Sequence, residues 1–219
     1  MLFIERAEIK DIQFIIETVI QAEKSGTDKI ITCRLFNISE TEYRRVLYEI
    51  LASDILGYEL ALSNFKIVFD ASRPVAAYAM WCEQSSGMSS DFLRMNAYTM
   101  FLKKESIEYF RKGPLKLVKE IEFTRQPMTI QFESLYIIKE YRGQSIARML
   151  TDAHLEDVKQ AYPHISKIQT QQIKQNELAL RTHFKLGYTI ADEKSSQSPE
   201  ILKYYPGETK VLLEKTIEL

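Results

Sequence analysis

The stretch Lys139-Glu140-Tyr141-Arg142-Gly143-Gln144-Ser145-Ile146-Ala147 joins a strand-like run, Thr129 to Ile138, to a helix-patterned one, Ser145 to Gln160. A turn that opens a helix leaves backbone N–H groups without intrahelical partners. With the positive end of the helix dipole, those donors suit a phosphate or pyrophosphate. The dipole contributes only about 0.3–2 kcal/mol, so the array of amides does most of the holding, with the Arg142 guanidinium beside it. Taken alone, an ordinary strand-to-helix turn would read the same way. Metal chemistry finds no ligand set. Cys33 and Cys82 lie far apart, neither has a Cys or His at ligand spacing, and His154 and His164 lack a carboxylate or cysteine partner.

The elements that must position this turn can be read from periodicity. Leu2 to Ala7 is strand-like. Ile12, Ile15, Ile16, Val19 and Ile20 then form one helical face. Ser39 followed by Glu42 is a capping-box signature, and Val46, Leu47, Ile50 and Leu51 continue at helical spacing. Phe65 to Asp70 and Val75 to Trp81 read as a β-hairpin across Ala71-Ser72-Arg73-Pro74. From Glu83 to Met128 the chain makes a mostly helical excursion, broken by Gly113-Pro114. Thr129 to Ile138 is a strand, Ser145 to Gln160 a helix, His164 to Ile173 a strand and Asn176 to Leu186 a helix ending at Gly187. Tyr188 to Glu193 and Thr209 to Thr216 are the last strands, the second following a Tyr204–Gly207 turn. With no repeat or linker, residues 1–219 read as one α/β domain, with 84–128 as a helical insertion.

Composition narrows the classes of partner. The 29 Lys and Arg balance 30 Asp and Glu, a formal charge of −1, which disfavours nucleic-acid binding because that needs a basic excess. Hydrophobic residues make up 45% of the chain, enough for a buried core. The longest apolar stretch, around Val75 to Cys82, is too short to cross a bilayer, and Met-Leu-Phe-Ile meets Glu5 and Arg6 before any signal-peptide core forms. A cytoplasmic protein with no membrane partner is the expectation, and two isolated cysteines fit a reducing compartment.

Two motifs give the phosphate turn a context. Leu135-Tyr136-Ile137 followed by Glu140-Tyr141-Arg142-Gly143 resembles the fourth strand and acetyl-CoA loop of the GNAT superfamily of N-acetyltransferases. There Arg142, Ser145 and Ala147 occupy the three defined positions of Gln/Arg-x-x-Gly-x-Gly/Ala. Further on, Asn176, Ala179, His183, Lys185, Leu186, Gly187 and Tyr188 resemble that family's Asn-x-x-Ala-x-x-x-Tyr-x-Lys-x-Gly-Phe segment. The order of the two motifs, with a strand between them, makes the combination specific.

The resemblance implies a mostly antiparallel mixed sheet splayed between its fourth and fifth strands, with helices on both faces. It implies acetyl-CoA as cosubstrate and no metal. The pantetheine arm would pair with the fourth strand at Leu135, Tyr136 and Ile137, whose amides would polarise the thioester carbonyl. The pyrophosphate would sit on the amides of Arg142, Gly143, Gln144, Ser145, Ile146 and Ala147, and Asn176 would lie near the pantetheine. Two residues depart from the pattern. Ser145 stands where glycine is usual. His183 stands where a tyrosine often protonates the leaving thiolate, so its imidazole is either an acid or a packing residue beside the cofactor. Because a free thiol has a pKa of about 8.5, the leaving group needs only modest help.

Glu133, two residues before Leu135, is the candidate base, directly or through water, and Glu83 is the second choice. Gln171 is uncharged. The excursion starts beside the expected acceptor cleft, so Trp81, Glu83, Ser86, Ser89, Ser90 and Phe92 are candidate acceptor contacts, with Tyr204 and Tyr205 approaching from the last hairpin. Phe92, Met95, Tyr98, Met100 and Phe101 read mainly as a satellite core. The implied activity is transfer of an acetyl group to a primary amine by direct attack. Polyamines, aminoglycosides, amino acids and protein N-termini remain open as acceptors, and a homodimer is the prior for such enzymes. Ser145 and His183 also keep open a longer acyl donor, or a CoA-binding regulatory or interaction module without turnover.

Overall fold

The computed structural model describes residues 1–217. In chain order the elements are β1 (Leu2–Arg6), α1 (Ile12–Lys24), α2 (Ile31–Phe36), α3 (Glu40–Ser53), β2 (Phe65–Asp70) and β3 (Arg73–Cys82). They continue with α4 (Ser90–Phe101), α5 (Lys104–Lys112), α6 (Pro114–Ile121), β4 (Ile130–Ile137), α7 (Ile146–Ala161), β5 (Lys167–Ile173), α8 (Glu177–Lys185), β6 (Thr189–Ser195) and β7 (Thr209–Thr216). The strands form one sheet in the order β1-β2-β3-β4-β5-β7-β6, antiparallel at every neighbour except the parallel pair β4–β5. This is the mixed sheet expected from the sequence.

Local chemistry accounts for most boundaries. Ser39 accepts from the Glu42 amide at 3.1 Å and starts α3, as its capping signature predicts. Gly113 at φ −134° and Pro114 at the first position of α6 divide the insertion, because proline suits a helix start but not its interior. The fifth strand begins at Lys167 rather than His164, because Tyr162-Pro163-His164-Ile165 closes as a turn with the Ile165 amide on the Tyr162 carbonyl at 3.0 Å. Helix α2, absent from the sequence reading, is only six residues long, too short to show a periodic stripe.

The core divides between the faces of the sheet. On one, the isoleucine stripe of α1 packs across β3 and β4 with α2, α3 and the insertion helices. On the other, Ile146, Leu150 and Val158 of α7 pack against Tyr78, Phe132 and Ile168. The expected satellite core in the insertion is not separate. Leu93, Ala97 and Tyr98 join the main cluster, with Met95 and Phe101 against it, while Phe92 and Met100 are exposed. No helix among the described residues is long and apolar enough to cross a membrane.

Candidate functional site

The sheet opens along one line. β4 pairs with β5 only at Ile130–Ile168 and Gln131–Gln169, so from Phe132 onward its edge toward β5 is free. A bulge sets the direction of the opening. Ala77 faces Tyr136 and Ala79 faces Glu133, leaving Ser134 and Leu135 opposite Tyr78 alone, with Ser134 at φ +58°. A non-glycine residue in the left-handed region marks stored strain, and an extra residue on one strand bends it away from its neighbour.

A cavity of about 770 Å³ fills this opening. One end is walled by Leu135, Tyr136 and Ile137, then by Arg142, Gly143, Ser145, Ile146 and Ala147, with Asn176 and His183 across from them. The amides from Gly143 through Arg148 have no partner among the described residues, and α7 begins beneath them. Arg142 Nε is pinned on the Ile137 carbonyl at 3.1 Å, and Arg148 and Lys185 add positive charge to the wall. Asn176 Oδ1 caps α8 through the Ala179 amide at 3.2 Å, which leaves its Nδ2 hydrogens as donors at the cavity. A free strand edge leading to an amide-lined helix start fits a pantetheine arm ending in a pyrophosphate. Gln144 is the exception among the expected cofactor residues. Its side chain is exposed, turns to the Glu140 carbonyl at 3.4 Å and does not line the cavity.

Ser145 sits at φ +60°, in the left-handed region where glycine has no penalty, and it makes no side-chain cap. Its departure from the usual glycine is therefore a matter of backbone strain, with an added hydroxyl at a residue that lines the cavity.

His183 is 1% exposed, and both of its ring nitrogens are engaged. Nδ1 lies 2.8 Å from the Ala179 carbonyl and must donate to it, so Nε2, 3.1 Å from the Tyr78 hydroxyl, accepts. Burial pushes the imidazole down, partly opposed by the Ala179 carbonyl. A neutral ring with its proton on a helix carbonyl has none aimed at the cavity, so the geometry fits packing rather than acid catalysis. His183→Ala should lower stability by about 2–4 kcal/mol, because it opens a cavity and orphans the Tyr78 hydroxyl. Its kcat should stay within about threefold of the parent, whereas loss of a catalytic acid would cost about 100-fold. Denaturant unfolding and saturating-substrate kinetics measure both.

The other end of the cavity is acidic. Glu23, Glu59, Glu122 and Glu133 line it with Arg94, Lys210 and Gln171. Glu133 pairs with Arg125, which also reaches Asp91 at 2.9 Å; Asp91 accepts from Arg94 at 2.6 Å, and Arg94 reaches Glu59 at 2.8 Å. Arg94 and Asp91 belong to α4, and Arg125 lies in the stretch between α6 and β4, so the insertion supplies the basic half of this chain. Lys210 holds Glu122 at 2.6 Å with help from the Tyr205 hydroxyl at 3.0 Å. Burial alone would raise Glu122, but Lys210 and Arg94 outweigh it and bring the carboxyl down to about 2.

Three expected acceptor contacts stand elsewhere. Glu83 is buried but outside the cavity, accepting from Trp81 Nε1 at 3.1 Å and from the Ser90 amide at 2.9 Å, so it anchors the start of α4. Trp81 lies under the Arg125 guanidinium, 5.2 Å from its ring centroid, and supports that cation from behind. Tyr204 faces a separate surface depression with Lys112 and Glu200, whereas its neighbour Tyr205 reaches the cavity. Ser89 caps α4 and Phe92 is exposed. The sequence reading missed Glu23, Glu59, Arg94, Arg125 and Lys210. Glu23 alone left a signal, because it continues the buried Ile16–Val19–Ile20 stripe of α1 where an apolar residue is due. Among the described residues, no group of His, Cys, Asp and Glu could hold a metal ion.

No family model matches this sequence, and no curated protein matches it either. Solved structures do. An N-acetyltransferase from Staphylococcus aureus Mu50 superposes with a TM-score of 0.67 at 12% identity, over 97% of this chain and 100% of its own. The structure of yncA from Salmonella typhimurium with its cofactor acetyl-CoA gives a TM-score of 0.56 at 14% identity, over 100% and 95%. An acetyltransferase of the GNAT family from Streptococcus pneumoniae gives 0.50 at 14% identity, over 99% and 100%. At such identities the likeness is one of architecture, and the chain has the GNAT fold.

Proposed function

We propose that the protein is an acetyl-CoA-dependent N-acetyltransferase acting on a primary amine in a ternary complex. The observation that carries this reading is the free edge of β4 running into the unpartnered amides from Gly143 to Arg148 on one cavity wall, with Glu133 at the opposite end of the same edge. The fold's occurrence in N-acetyltransferases, and in one structure with acetyl-CoA, supports it.

Acetyl-CoA supplies a thioester, an acyl group already activated toward nitrogen. The amides from Gly143 to Arg148, with Arg142 and Arg148, hold the diphosphate by hydrogen bonds to a fixed array. Leu135 and Ile137 offer their backbone to the pantetheine, and Asn176 donates to it. A bound ammonium is useless as a nucleophile: an amine of pKa about 10.4 must give up a proton, at about 4.6 kcal/mol at pH 7. Glu133 receives that proton directly or through water, and the Arg125 guanidinium fixes the carboxylate's orientation. The freed amine adds to the carbonyl carbon, the C–N bond forms as the C–S bond breaks, the new amide nitrogen sheds its remaining extra proton to solvent, and the departing thiolate takes up a proton from solvent. Holding both reactants in one cavity supplies much of the rate.

Thiol release from acetyl-CoA, followed over a panel of diamines, monoamines, amino acids and an amino-terminal peptide, tests the reading. Amine-dependent release is expected with at least one class. Saturable CoA binding without release on any of them would overturn it in favour of a binding module.

A further inference from the structure

The cavity changes sign along its length. Its cofactor end carries Arg142, Arg148 and Lys185, and the far end carries Glu23, Glu59, Glu122 and Glu133 against Arg94 and Lys210. Lys24, next to Glu23 in the chain, also lines the cavity, and the other cations at that end are committed. Lys210 is on Glu122, Arg94 is shared between Glu59 and Asp91, and Arg125 behind them is shared between Asp91 and Glu133. Glu23 makes no ion pair among the described residues, although Arg94 is near enough to act on it through space. Its carboxylate is held by the Thr32 amide at 2.9 Å, the Thr32 hydroxyl at 2.8 Å and the Tyr43 hydroxyl.

Two atoms on this wall lack donors among the described residues. Glu59 is 5% exposed; its Oε1 faces Arg94, but its Oε2 has no hydrogen-bond partner. Gln171, 8% exposed, donates Nε2 to the Phe123 carbonyl at 3.2 Å, which fixes the amide's orientation and leaves Oε1 an unpartnered acceptor. Both residues line the cavity. A buried carboxylate oxygen and a buried carbonyl oxygen without donors are costly unless a ligand supplies the hydrogens. An acceptor bearing a carboxylate would instead meet like charge. The cavity is also lined by the apolar or aromatic Leu60, Met95 and Tyr98, which suit methylenes.

Resting on the acetyltransferase reading, we infer that the acceptor is a dicationic amine of the linear diamine or polyamine class. One amine is presented at Glu133 and Gln171 for acetylation, and the second, as an ammonium, is drawn to the Glu59 carboxylate, whose unpartnered oxygen turns toward it on binding. The charge surplus gives specificity, and the Glu59 contact gives reach along the cavity.

The test compares a linear α,ω-diamine, the monoamine of equal chain length and the corresponding ω-amino acid, on the wild-type protein loaded with CoA. Calorimetric binding should favour the diamine over the monoamine by at least about 30-fold, with the amino acid weakest. With acetyl-CoA the kcat/KM ratio should follow, mainly through KM. Glu59→Gln keeps the shape and removes the charge, and should reduce the diamine-to-monoamine preference at least tenfold. Thermal unfolding checks that the variant is folded. A monoamine or amino acid that binds as well as the diamine, or a preference unaltered in folded Glu59→Gln, would overturn the inference while leaving acetyl transfer intact. If no amine is acetylated, the functional reading fails instead, and the binding arm still decides the class of ligand.

Discussion

Replacing Glu133 by glutamine is expected to lower kcat at pH 7 by about 100-fold or more, the range lost with a positioned general base. The substitution keeps the side chain's shape on β4 and removes the proton acceptor at the point where the bulge turns the strand toward the cavity. The effect has a direction in pH. Without the carboxylate, only amine already deprotonated in solution can react, and that fraction rises about tenfold per pH unit below a pKa of about 10.4. The deficit relative to the parent should therefore shrink as pH is raised from 7 toward 10. The KM for acetyl-CoA should hold, since Glu133 lies away from the phosphate cradle. A loss under threefold at pH 7, or a deficit independent of pH, would remove Glu133 as the base. Arg125 gives a second reading of the same site, because Arg125→Met leaves the carboxylate without the guanidinium that orients it.

Ala147→Glu should weaken CoA binding by about 30-fold or more, with the fold intact. Ala147 lies in the first turn of α7, where a carboxylate is favoured by the dipole, and its side chain is half-buried at the cavity wall. The helix thus tolerates the change, while the diphosphate meets a like charge. At a separation of a few ångströms and an effective dielectric near 20, that repulsion is of order 2–4 kcal/mol. Calorimetric titration of CoA, alongside thermal unfolding, separates the two effects. Unchanged affinity in a folded variant would place the diphosphate elsewhere.

How much of this was legible in the sequence follows from the range of the interactions involved. The cofactor end was, because a strand edge, a turn and a helix start lie within the single stretch from Ile130 to Ala147, and backbone geometry does the binding. Even there Gln144 turned away, since the direction of a side chain at a turn depends on the local path and not on its place in the motif. His183 occupied its motif position, but its role turned on Tyr78, more than a hundred residues earlier in the chain. Of the acidic end, Glu133 was legible as a carboxylate on the fourth strand, but its ion-paired surroundings were not. Glu59, Arg94, Arg125, Glu133 and Lys210 come from five separate stretches, and their pairing exists only once the insertion has folded over β4. Nearness to the cleft in sequence makes Trp81 and Glu83 look like acceptor contacts. The pleat of β3 and the start of α4 claim them for support instead.

One measurement bears most directly on the claim that this cavity moves an acetyl group from CoA to nitrogen. The protein is incubated with acetyl-CoA carrying a deuterated acetyl group and a linear α,ω-diamine, and the small molecules are analysed by mass spectrometry. The account predicts a mono-acetylated diamine bearing the label, formed together with free CoA and lost in Glu133→Gln at neutral pH. CoA bound to the protein with no label appearing on this or any other amine would contradict it.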